Sequence, residues 1–158
     1  MKRIWLCVLA LTLAAAGAAH ADAGWGLRAG ATFEPDQFHV GAHVNAGELF
    51  RDGWFIPNIE VGFGSDLTLV AINPELVYRF GRSARSDWAF YIGGGLGINY
   101  TTWDNPGPGD DSDTSLGVNV LGGMNRKLSS GNDLFIELKM GLSDETPDAK
   151  VTVGMSFF

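Results

Sequence analysis

The chain is nearly without cysteine. Its only one, Cys7, falls in the first twenty residues, so disulfides, thiolate catalysis and cysteine-ligated metals are excluded from everything beyond. Proline is scarce at 6 residues, which sets aside proline-rich linkers and repeats. No stretch after residue 21 is apolar for the eighteen or so residues that a spanning helix needs. Positive charge is also short. The formal charge is −7, and −9 without Lys2 and Arg3, so the broad basic face of a nucleic-acid binder is missing and no such partner is expected.

The first 21 residues read as a removable leader. Lys2 and Arg3 precede an apolar run from Ile4 to Ala16, and Ala19-His20-Ala21 has the small-residue pattern of a cleavage site. The domain expected to fold is therefore 22–158, a length suited to one domain.

That domain alternates apolar with polar or glycine residues eight times. In the first stretch Trp25, Leu27, Ala29, Ala31 and Phe33 form one row, and Arg28, Gly30, Thr32 and Glu34 the other. A period of two is that of a strand. Strands are expected at 24–34, 38–46, 54–64, 67–80, 88–102, 114–128, 134–142 and 150–158. Each is long enough for a tilted membrane crossing of about nine to eleven residues. Turns are expected between them, including 47–53, with the longest loop at 104–113. Pro57 and Pro74 interrupt the third and fourth strands, where a missing ladder donor suggests a bulge or an irregular edge.

Which row faces outward separates a membrane barrel from a soluble one. The polar row is mostly Gly, Asn, Ser and His, with a few charges of both signs. A water-exposed surface would carry Lys, Glu, Thr and Gln instead. The apolar row bears aromatics near the strand ends, among them Trp25, Phe33, Phe38, Phe63, Tyr78, Trp88, Tyr100 and Phe157, as interfacial girdles do. The expected fold is an all-β, eight-stranded, antiparallel up-and-down transmembrane barrel. Charge sorts by loop parity. The connections after odd strands hold Glu34, Asp36, Asp66, Asp104, Asp110, Asp111, Asp113, Asp144, Glu145 and Asp148 and no cation, whereas Arg51, Arg82, Arg85, Arg126 and Lys127 fall on the other side. With an even strand number both termini are placed in the periplasm.

Tyr91-Ile92-Gly93-Gly94-Gly95-Leu96-Gly97-Ile98-Asn99-Tyr100 resembles the glycine-rich strand of the outer-membrane β-barrel superfamily of OmpA and OmpX type. The segments 116–125 and 134–138 are similar to its next hairpin. The resemblance implies a bacterial outer-membrane location, contact with outer-membrane lipids and lipopolysaccharide, and recognition by the barrel assembly machinery through the terminal aromatic. Here Phe157 is in phase with the apolar row and Phe158 is one residue beyond it. The resemblance is specific for fold and says little about activity.

Seven charges lie on the inward row: Arg28, Glu60, Glu75, Arg79, Glu137, Lys139 and Lys150. Unpaired charge in a narrow lumen is costly, so an ion network that plugs the barrel is expected. Charge rings can also line a selective pore, although eight strands enclose little more than side chains. His39 and His43 share this face about 13 Å apart, too far to chelate one metal, and are read as lumen hydrogen-bonding groups. A His39–Asp36 hydrolytic pair is conceivable. Some small outer-membrane barrels modify lipid A, with a His and a Ser near the last strands. Here the last two strands contain no histidine, and Ser143 and Ser156 have no neighbouring base in sequence. Asp110, Asp111 and Asp113 could bind a divalent cation loosely, but without EF-hand spacing. The sequence thus indicates a non-enzymatic, cofactor-free, monomeric barrel acting in envelope integrity or surface interaction. A narrow pore for small solutes and a lipid A-modifying hydrolase are the alternatives.

Overall fold

The computed structural model describes residues 23–65, 67–81, 86–103, 112–144 and 146–158. The expected leader, the loop carboxylates Asp110 and Asp111, and the turn at 82–85 lie outside the described residues. Eleven strand segments are present: β1 (Gly24–Phe33), β2 (Gln37–Asn45), β3 (Glu48–Phe50), β4 (Gly53–Phe55), β5 (Asn58–Phe63), β6 (Leu67–Asn73), β7 (Glu75–Arg79), β8 (Trp88–Trp103), β9 (Ser112–Lys127), β10 (Asp133–Gly141) and β11 (Ala149–Phe157). All pairings are antiparallel. Because β1 pairs with both β2 and β11, the sheet closes on itself and no long edge is left unpaired.

The eleven segments make eight barrel strands, because β2–β3, β4–β5 and β6–β7 are each one strand with an interruption. At the first, Ala46 N donates to Phe55 O (2.9 Å) while Phe55 N donates to Gly47 O (3.0 Å). Two residues therefore oppose one, a β-bulge, and Gly47 takes the left-handed conformation there (φ 107°). The strand then continues through β3, so the turn expected at 47–53 shrinks to Arg51-Asp52.

At the other two interruptions the register holds. Phe55 faces Leu76 and Asn58 faces Asn73, which sets Pro57 directly opposite Pro74. Val44 N donates to Pro57 O (3.0 Å) and Leu96 N to Pro74 O (3.3 Å), but neither proline nitrogen can donate in return. The irregularity expected here is a pair of missing ladder donors at one level of the wall rather than a bulge.

The strand β9 starts at Ser112, earlier than the sequence indicates. Asp113 pairs with Thr101 inside the ladder, which removes it from the acidic loop that could have held a divalent cation loosely.

The faces are inverted relative to a water-soluble barrel. Leu27, Val40, Ile59, Leu96, Val120, Leu138 and Val153 stand outward and exposed. Trp25, Tyr78, Phe80 and Phe90 ring the end that carries both termini, and Phe33, Phe38, Phe63, Tyr100 and Trp103 ring the far end. Trp25 packs on Phe157 at 4.7 Å between ring centroids. Arg28, His39, Glu60, Glu75, Glu137, Lys139 and Lys150 are buried inside. An apolar band between two aromatic rings is the surface that lipid covers. Among the described residues, Val77, Tyr91 and Leu121 form a small buried apolar cluster, with Ile56 packed against it.

Candidate functional site in the barrel lumen

Three cations and three carboxylates meet in the middle of the barrel. Glu60 on β5 is the hub: its Oε1 takes Arg28 Nη1 at 3.1 Å and Lys139 Nζ at 3.5 Å, and its Oε2 takes Lys150 Nζ at 2.7 Å. Arg28 also reaches Glu137 (3.5 Å), and Lys139 pairs with Glu75 at 2.6 Å. Tyr91 Oη donates to Glu137 (3.0 Å), and Asn58 Nδ2 donates to Glu75 (2.7 Å) while its own Oδ1 accepts from Asn73. Each charged side chain is at most 6% exposed. Charges so desolvated persist only when balanced and hydrogen-bonded, and here three of each sign balance.

Arg79, expected in this network, is not part of it. It lies four residues from Glu75 on one strand, about 13 Å along it, beyond side-chain reach of the hub. Its guanidinium stacks on Trp54 instead, 4.4 Å from the ring centroid. Tyr91, which the network does use, carries no charge and so gave no signal in a search for inward charges.

The inward glycines are in register with the largest inward side chains. Tyr91 on β8 faces Gly123 on β9, which faces Glu137 on β10. The phenol lies over the glycine to reach the carboxylate, and a Cβ at Gly123 would fall on its ring. Glu60 passes over Gly41 to Arg28 in the same way. His43 passes over Gly26 to Ser156, and His39 over Gly30 to Thr152. His43 Nε2 shares a hydrogen bond with Ser156 Oγ (2.8 Å). His39 shares one with Thr152 (3.0 Å) and, through Nδ1, one with Thr32 (2.9 Å). Both histidines therefore tie β2 to β11 across β1, where the barrel closes.

His39 and His43 are lumen hydrogen-bonding groups, as expected. His39 is not poised for Asp36, because both ring nitrogens are held by threonines. Ser156 does have a neighbouring base, His43, brought to it by closure from the other end of the sequence.

This packing predicts that Gly123→Ala and Gly26→Ala each lose about 1–3 kcal/mol through overpacking. Gly122→Ala should be tolerated, since the nearest atom to a Cβ at this outward glycine is 3.9 Å away. Urea midpoints for folding into lipid vesicles would separate the two classes.

No protein-family profile matches the sequence, and no curated protein does. Several solved structures share its fold. Neisserial surface protein A is 17% identical, with a TM-score of 0.63 over 85% of this chain and 94% of that one. The N-terminal barrel domain of Pseudomonas aeruginosa OprF is 14% identical, with a TM-score of 0.67 over 85% and 96%. The outer-membrane enzyme PagL is 13% identical, with a TM-score of 0.51 over 85% and 99%. The fold is that of the small eight-stranded outer-membrane barrels.

The described lumen holds one small chamber beside the ion network. Toward the terminal end a chamber lined by His43, Arg79, Asn125, Asp133, Phe135 and Ser156 leaves about 40 Å³ for water, room for roughly two or three molecules. Arg28, Glu75 and Glu137 of the ion network also line this chamber. Among the described residues no group of three or more His, Cys, Asp or Glu is placed to hold a metal.

Proposed function

We propose that this protein is a non-enzymatic integral protein of the bacterial outer membrane whose lumen is a structural plug, and that it serves envelope integrity or surface interaction. The observation that carries the plug is the balanced six-charge network around Glu60. Charge that is fully paired and desolvated leaves no free sites for a permeating ion. The terminal end belongs in the periplasm. In support, the described far-end connections hold Glu34, Asp36, Asp144 and Asp148 and no cation, and Arg51 and Lys127 lie at the terminal end. The outward band would contact outer-membrane lipids and lipopolysaccharide, and Phe157-Phe158 would be read by the assembly machinery. The closed wall suits a monomer.

Single-channel recording of the protein in planar bilayers tests the plug. No steady conductance is expected. A steady conductance in the unmodified protein would overturn the plug and favour a narrow pore.

A hydrolase is the second reading, because His43 and Ser156 form a base–hydroxyl pair and PagL, of similar shape, is an enzyme. The pair lacks what hydrolysis needs. His43 Nδ1 has no carboxylate to orient it. The adjoining chamber admits a few waters and no acyl chain. His39 with Thr152 repeats the arrangement four residues along, which favours a structural tie for both.

A further inference from the structure

The barrel closes where β11 meets β1, and large side chains cross that seam on the inner face from both sides. From β2, His43 crosses Gly26 of β1 to Ser156 of β11, and His39 crosses Gly30 to Thr152. From β10, Phe135 crosses Gly154 of β11 to Arg28 of β1. The Arg28 guanidinium lies 5.4 Å from the Phe135 ring centroid, and the His43 and Phe135 rings meet edge to face at 5.3 Å. A Cβ at Gly26, Gly30 or Gly154 would press into the ring that crosses it. Along the seam each of these glycines faces a residue that is not glycine: Gly26 faces Ser156, Arg28 faces Gly154 and Gly30 faces Thr152.

The backbone ladder alone does not single out this alignment, because main-chain donors and acceptors repeat along both strands. A slip of one residue is excluded, since it would turn the apolar row inward. A slip of two keeps both faces and moves β11 by about 7 Å along β1. With the β1–β2 and β10–β11 pairings unchanged, one direction sets Gly26 against Gly154 and Gly30 against Lys150. His43 and Phe135 then cross the same pair of glycines into the same space, and His39 meets a cation in place of a hydroxyl. The other direction sets Gly30 against Gly154, so that His39 and Phe135 converge, and Gly26 against Phe158. Either slip takes the β11 hydroxyl from both histidines, and buried polar atoms left without a partner are costly.

We propose that these side chains form a clasp that selects the register in which the barrel closes, with His39, His43 and Phe135 as its teeth and Gly26, Gly30 and Gly154 as the gaps that receive them. The register of the closing pair fixes the stagger of the whole sheet, and so decides which inward side chains share a level. Two contacts of the ion network span the same seam, Lys150 with Glu60 (2.7 Å) and Glu137 with Arg28 (3.5 Å). The clasp therefore also sets the level at which that network forms. It concerns closure alone and stands whether or not the lumen conducts.

Paired cysteines on the outer face read the register. With Cys7→Ser as background, Ala29→Cys is combined with Val153→Cys, its partner in the native register, or with Val151→Cys or Met155→Cys, its partners after a slip of two in either direction. Directly opposite residues approach closely enough for a disulfide, whereas those displaced by two stand about 7–8 Å apart. Each protein is folded into vesicles and oxidised, and disulfide formation is scored in the folded fraction. The Val153→Cys pair should bond at least tenfold faster than either slipped pair. Adding His43→Ala and Phe135→Ala should cut its preference over the Val151→Cys pair at least threefold, because these two rings bar that slip. Glu60→Gln, which removes a charge contact across the seam and leaves the clasp in place, should keep the preference. An unchanged preference in folded protein with His43→Ala and Phe135→Ala would overturn the clasp. So would an equal fall with Glu60→Gln, which would mean that any weakened barrel slips. If the double change yields no folded barrel, His43→Ala alone decides: the preference should fall, and an unchanged one would overturn the clasp.

Discussion

Glu60→Gln should cost about 3–5 kcal/mol of folding stability, the usual loss when one partner of a buried ion cluster is removed. The reason is convergence. Arg28, Lys139 and Lys150 all point at this one carboxylate. The three cations are not equally stranded by its loss. Lys139 keeps Glu75 at 2.6 Å and Arg28 keeps Glu137 at 3.5 Å, whereas Lys150 makes no other ion pair among the described residues. The rescue should follow from that difference. Glu60→Gln with Lys150→Met should recover a large part of the loss. Glu60→Gln with Lys139→Met should recover less, because it leaves Glu75 buried without its cation. Urea titrations of folding into vesicles, read by tryptophan fluorescence, supply all three numbers. Wild-type stability in Glu60→Gln would mean that the network carries no folding energy, and the plug would lose its physical basis.

The rescue could not have been designed from the sequence. Alternation shows which residues point inward, because side-chain direction depends only on strand parity. It does not show which inward residues meet, because that depends on strand tilt and on the stagger between neighbours around the closed sheet. Arg79 shares parity with Glu75 and Glu137 but ends up at a different level, over Trp54. Ser156 and His43 are 113 residues apart and become neighbours only when β11 closes onto β1. Both errors, pairing Arg79 and leaving Ser156 without a base, come from this one missing coordinate.

Glycine shows the same limit from the other side. The run at Gly93, Gly94, Gly95 and Gly97 is conspicuous and marks a strand of the outer-membrane type. The reason for particular inward glycines lies in the next strand. Gly26, Gly41 and Gly123 are small because His43, Glu60 and Tyr91 lie across them. The facing prolines, by contrast, were half legible. Each announces a lost donor in sequence, but only the register puts Pro57 opposite Pro74 and concentrates both losses at one level of the wall.

An arginine on the outward face should cost according to its depth in the bilayer. Val120 lies at the middle of β9, outward and 40% exposed. Val120→Arg should destabilise folding into lipid by about 2–4 kcal/mol, as cations near the midplane of such barrels do. Phe33, in the aromatic ring of the far end, is exposed to a similar degree, but Phe33→Arg should cost only about 0–1 kcal/mol, since its guanidinium can reach the headgroups. Solvent exposure in the isolated protein is nearly the same at the two sites, so a difference between them reports on what covers the surface. Equal costs, or a wild-type protein that stays folded and monomeric in buffer without lipid or detergent, would mean that the band is not buried in a membrane. A gradient from rim to middle would mean that hydrocarbon covers Val120 and that the apolar row is held in place by lipid.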